Sequence, residues 1–148
     1  MSKSKTVVYK MRRDGWLDYF ELHISPTAQA MRMHAEAIYR KIEKPIPEGW
    51  ANTLGLVLPL SCSVDGYFDG LFAFCFLNEA SLGVGVVSHE CLHVAMAHER
   101  FVMRFGMDYG DGKGCLEDEE RLAYFLTDTV KGVYNTLYDN GHIKGRAA

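Results

Sequence analysis

Two histidines stand four residues apart with a glutamate directly after the first, in the segment His89-Glu90-Cys91-Leu92-His93. On an α-helix four residues advance about 400°, so His89 and His93 project from one face, one turn apart, where their imidazole nitrogens can share a single Zn²⁺. Glu90 lies about 100° around from His89. That offset keeps its carboxylate out of the metal's ligand shell while leaving it within reach of a water in the site, the placement a general base requires. Cys91 is two residues from each histidine, about 200° away around the helix, and does not fit as a ligand.

A catalytic zinc usually takes three protein ligands and keeps one position for water, so a third donor is needed. His98 lies about 140° around the helix from His93 and nine residues from His89, on the opposite side, and reads as a capping or surface histidine. The acidic run Glu117-Asp118-Glu119-Glu120 opens the following helix. Acids in a first turn complement the helix dipole, which accounts for Glu117 and Asp118. Glu119 and Glu120 are the ligand candidates. The apolar stripe Leu122, Ala123, Leu126, Val130, Val133 and Leu137 is centred close to Glu119 and about 100° from Glu120, so periodicity alone slightly prefers Glu119.

These residues need two helices and a sheet to hold them. A long helix is predicted over about residues 82–104 and a partner over about 117–138, joined by the glycine-rich loop 106–114. Val86, Val87, Leu92, Val94, Ala95 and Met96 make the first of these apolar nearly all round, which predicts that it is buried with its histidines paired or metal-bound. Upstream, residues 71–77 (Leu-Phe-Ala-Phe-Cys-Phe-Leu) alternate phenylalanines on one face with Leu, Ala and Cys on the other, a strand that needs cover on both faces. Residues 6–11 and 16–24 read as a hairpin about Asp14-Gly15. Ser25-Pro26 opens a helix whose apolar positions are Ala30, Met31, Met33, Ala37, Ile38 and Ile42, and which must stop before Pro45. A short strand follows over 53–60, then a turn-rich stretch over 61–70.

The 148 residues carry 48% apolar and 24% charged side chains and a formal charge of -3, the proportions of one globular domain. A near-neutral chain sets up no field toward nucleic acid or an anionic membrane, so neither is an expected partner. No apolar run approaches the roughly 18 residues of a membrane span, and the apolar run at 6–10 is too short for a signal peptide, so a cytoplasmic setting is expected. Cys62, Cys75, Cys91 and Cys115 are 13, 16 and 24 residues apart, spacings that suit free thiols in a reducing compartment.

The pattern His89-Glu90-x-x-His93 with a later acidic segment resembles the gluzincin group of zincin-like metallopeptidases, and most nearly small phage- and prophage-encoded zincin-like proteins. The likeness covers roughly residues 70–126. It implies an α+β fold, a single zincin-like domain over 1–148, in which a small twisted sheet packs against the HExxH helix and a further helix carries a glutamate ligand. In such families the last segment tends to read E-x-x-A followed by a polar residue. Glu120-Arg121-Leu122-Ala123-Tyr124 matches it, so the resemblance selects Glu120 over Glu119. Tyr124 stands where active gluzincins often have an acid. The resemblance also implies that a strand before the active helix pairs with an extended substrate backbone, residues 71–77 being that strand or its neighbour. The SprT-like group takes a third histidine from further along, but no histidine lies between His98 and His142.

The expected function is therefore that of a zinc-dependent hydrolase, a peptidase acting on a peptide or protein substrate, with Zn²⁺ on His89, His93 and Glu120 and with Glu90 as base. Tyr124, Tyr134, Tyr138, His98 and His142 are candidate donors to the oxygen that gains charge during attack. Two other readings remain: a non-catalytic zinc-containing binding or host-interaction protein on the same fold, and a metal-free module using Arg32, Arg40, Lys41 and Lys44. These four basic residues read more simply as a solvated helix face.

Overall fold

A mixed four-stranded sheet lies between one helix on one face and two on the other, an α+β arrangement. The structure, a computed structural model, describes residues 5–60, 70–102 and 115–144, the side chains of 102 and 115–118 excepted. The elements are β1 (Val7–Arg12), β2 (Tyr19–Ser25), α1 (Ala28–Lys41), β3 (Gly55–Pro59), β4 (Leu71–Asn78), α2 (Val84–Val102) and α3 (Cys115–Asp139), with short 3₁₀ turns at Trp50–Asn52 and Glu79–Ser81. The strand order is β1-β2-β4-β3. β1 and β3 run antiparallel to their neighbours, while β2 and β4 are parallel, with α1 and then β3 between them in the chain. The predicted loop 106–114 and most of the turn-rich stretch 61–70 lie outside the described residues.

Every residue of β4 is buried, as a strand covered on both faces must be. Toward α1, Phe74 and Phe76 pack with Leu58 and Leu71 against Met31, Ala35 and Tyr39. Toward α2 and α3, Ala73, Cys75 and Leu77 join Phe20, Leu22 and Ile24 against Val87, Cys91, Val94, Val133 and Leu137. The phenylalanines therefore do not share one face. Pairing jumps from Tyr19–Leu71 to Phe20–Ala73, so Phe72 is an extra residue in a β-bulge. The bulge puts Phe72 on the same side as Ala73 and sends Leu71 to the side of Phe74.

The hairpin turns where Asp14-Gly15 predicts: Gly15 has φ 78° and the Trp16 amide donates to the Arg13 carbonyl at 3.0 Å. The second strand starts later than expected, at Tyr19 rather than 16, because Trp16 folds onto Phe125 and His98. Gly70 makes this detour fit, since a Cβ there would sit 2.3 Å from the Leu17 carbonyl oxygen.

Helix α1 is capped by Thr27, whose hydroxyl accepts from the Ala30 amide at 3.1 Å, whereas Ser25 belongs to β2. Its buried face is Met31, Ala35 and Tyr39, while Met33 is exposed. It ends before Pro45, with Glu43 at φ 58° and the Lys44 amide closing onto the Tyr39 carbonyl at 2.9 Å. Among the described residues, Cys75 and Cys91 are free, buried thiols, and no helix is long and apolar enough to cross a membrane.

Candidate metal and acid-base site

Helix α2 is buried on most of its circumference but leaves one stripe open, carrying Gly85, His89, Leu92, His93 and Arg100. The apolar-all-round reading predicts buried histidines, and the structure corrects it: both rings lie on the open stripe. Their Nε2 atoms stand 3.2 Å apart. Two nitrogens each about 2.0–2.1 Å from a tetrahedral zinc are about 3.3 Å apart, so the two imidazoles already have the separation a shared metal demands. Burial, His89 and Arg100 together hold the His93 ring below the ordinary histidine range, which favours the neutral, ligating form.

Glu90 turns the other way, into the protein, and is 5% exposed. Its Oε1 is 3.9 Å from His89 Nε2, and its buried Oε2 has no hydrogen-bond partner. Burial pushes its carboxyl above the usual carboxylate range, with His89 pulling the other way. A buried carboxylate oxygen with no donor is costly unless the site supplies one, such as a water. His89, Glu90 and His93 form the group of ligand-type side chains that could hold a metal among the described residues. Beside it runs a groove of about 350 Å³, lined by Asn52, Thr53, Leu54 and Gly55 on one wall and by Gly85, Val86, His89 and Glu90 on the other.

The remaining candidates fall elsewhere. Glu119 and Glu120 are both exposed near the start of α3, and neither joins the His89–Glu90–His93 group. Their neighbour Arg121 instead makes a forked pair with Glu99 of α2, with Nη2 to Oε2 at 2.7 Å and Nε to Oε1 at 3.0 Å. Cys91 is buried in the core against the sheet, its thiol pushed up to about 12 by burial and by Glu90, so it is not poised to close the site.

His98 is no surface or capping residue. It is 3% exposed, stacked on Phe125 with ring centroids 4.1 Å apart, and its Nε2 lies 3.3 Å from Asp18 Oδ2. His142 is engaged on both sides, by Tyr9 Oη at 2.6 Å and Glu79 Oε1 at 2.9 Å. Tyr124 is exposed, and the Tyr134 hydroxyl is buried with no partner. None of the candidate oxyanion donors, Tyr138 included, lines the groove.

The wall at 52–55 is the part of the site that motif reading passes over. Its one signal is a glycine at the start of a strand, which often marks a close approach by another group. Arg32, taken from the sequence as part of a solvated face, is half-buried and donates from Nε and Nη2 to the Thr53 carbonyl at 3.0 and 2.7 Å. Residues 71–77 form the interior strand β4, and the sheet edge whose start lines the groove beside α2 is β3. No protein-family model matches the chain, no characterised protein matches it in sequence, and no solved structure matches its fold.

Proposed function

We propose that this chain is a zinc-dependent hydrolase with a zincin-like arrangement, cleaving peptide bonds of a peptide or protein laid in the groove beside α2. The observation that carries the reading is the pairing of two open, metal-spaced imidazoles with a buried, unpartnered carboxylate one residue away. His89 and His93 would hold the metal through Nε2. Zinc bound there supplies a Lewis acid and lowers the pKa of water toward neutrality.

The Glu90 carboxylate takes the proton of the attacking water and returns it to the leaving amine. A carboxyl held above its usual range by burial is a stronger base than a solvated one, and so is better matched to work near neutral pH. The groove walls hold the substrate backbone and shield Glu90 from bulk solvent. Glu120 is the third ligand on the strength of the resemblance alone. The Arg121–Glu99 clamp beside it ties this end of α3 to α2, six residues past His93.

Hydrolysis of fluorescein-labelled casein tests the reading. Activity should be abolished by a chelator and restored by zinc, and Glu90→Gln should lower kcat by about 10²–10⁴-fold while zinc still binds. Full activity in Glu90→Gln with zinc in place would remove Glu90 from the mechanism. Loss of zinc affinity in Glu120→Ala but not in Glu119→Ala is the expected outcome for the third ligand.

A further inference from the structure

Gly55 opens β3 without a positive φ, so backbone conformation does not call for glycine there. Space does. A Cβ at residue 55 would lie 2.7 Å from Glu90 Cγ, 3.1 Å from Glu90 Cδ and 3.3 Å from Val86 Cγ1. Contacts below 3.0 Å force something to shift. The space that a side chain at 55 would take is thus filled by the stem and carboxyl carbon of Glu90.

The main chain on the other side of this contact is held in place. Arg32 of α1 donates twice to the Thr53 carbonyl, at 3.0 and 2.7 Å. Asn78 Nδ2, at the end of β4, donates to the Leu54 carbonyl at 2.9 Å, and the Thr53 hydroxyl donates to the Gly55 carbonyl at 2.6 Å. Three successive carbonyls are therefore tied by side chains, two of them by residues from other elements. Glu90 is fixed at its Cα by a buried turn of α2, so added bulk at 55 is relieved mainly by turning the Glu90 side chain.

We infer that Gly55, braced by Arg32 and Asn78, is a positioning residue that sets where the Glu90 carboxyl sits in the groove. Its catalytic consequence rests on the hydrolase reading above; its structural content does not. Arg32 lies on the far side of the sheet from α2 and acts on Glu90 only through the wall it braces.

Gly55→Ala, Arg32→Met and the double variant Gly55→Ala/Glu90→Ala test this on the full chain. In metal-free protein, Gly55→Ala should lower Tm in the wild-type background and by much less in the Glu90→Ala background, where only the 3.3 Å approach to Val86 Cγ1 remains. The side-chain ¹³Cδ NMR resonance of Glu90 should move in Gly55→Ala and, less, in Arg32→Met, while that of Glu99 stays. With zinc, Gly55→Ala should keep its metal affinity while kcat for casein falls by about 10²-fold, the penalty typical of a misplacement of about 1 Å. Equal Tm losses in both backgrounds, or an unmoved Glu90 resonance, would overturn the inference. If wild-type protein does not hydrolyse casein, the hydrolase reading fails while the Tm and NMR comparisons still decide the role of Gly55.

Discussion

Helix α2 carries the dipeptide His-Glu twice, at His89-Glu90 and at His98-Glu99, and the fold treats the two in opposite ways. At the second, the acid is fully partnered: Glu99 is 1% exposed with both carboxylate oxygens in a forked pair with Arg121, while His98 stacks on Phe125 with Nε2 on Asp18 and Nδ1 without a partner. At the first, His89 faces solvent, and the buried Glu90 keeps an oxygen without a donor. The same residue types thus serve as a structural clamp in one place and as an incomplete polar group in the other. A buried acid with a full set of donors holds a fold together, whereas one left short is tolerated where a ligand or water completes it.

Breaking the second pair should cost the most. Arg121→Ala leaves Glu99 buried without its guanidinium and should destabilise the protein by about 3 kcal/mol, the low end for a broken buried pair because the arginine is partly open to water. Denaturant melts of metal-free protein measure it. Glu90→Gln, at the first pair, should change stability by less than about 1 kcal/mol in the same assay, since no ion pair or hydrogen bond of short length is lost. A loss in Glu90→Gln as large as that in Arg121→Ala would erase the distinction between the two sites.

Acid sharpens the comparison. Burial holds His98 below the ordinary histidine range, against the pull of its hydrogen bond to Asp18 and the charges of Asp18 and Glu99, with Arg13 adding to the lowering. The unfolded ring takes its proton first, near pH 6.5, so stability should be full above that pH and decline as pH falls from there through the lower folded value. His98→Phe should flatten this decline in melts taken between pH 7 and 5. Smallest of all, His93→Ala should alter the stability of the metal-free protein by no more than about 0.5 kcal/mol, because the residue is on the exposed stripe of α2.

Much of this contrast was legible in the sequence, and the parts that were not have physical reasons. The HExxH spacing gives the shared face of His89 and His93 directly, and the Asp14-Gly15 turn, the β4 run and both long helices fall close to their expected places. An apolar-all-round reading leaves no stripe of α2 open, because Leu92 looks like a core residue until the sheet is seen to cover the opposite side. The bulge at Phe72 reverses the face of one phenylalanine, and no local pattern in residues 71–77 announces it. Thr27 rather than Ser25 caps α1 because β2 runs on to Ser25 to pair with β4, a tertiary demand that outweighs a local signal. From sequence alone His98 and Arg32 read as surface residues, since their partners Asp18 and the Thr53 carbonyl lie 80 and 21 residues away in the chain. Gly55 carries no local sign of its contact with Glu90, which comes from a distant segment.

On the proposed reading, His89 and His93 hold one metal ion while Glu90 stands beside it without binding it. Cobalt titration followed by visible absorption tests this most directly. One ion per chain is expected, with d–d bands of an open nitrogen and oxygen site that vanish in His89→Ala and in His93→Ala and persist in Glu90→Gln. Binding that survives both histidine substitutions, or that is lost when Glu90 is changed, would contradict it.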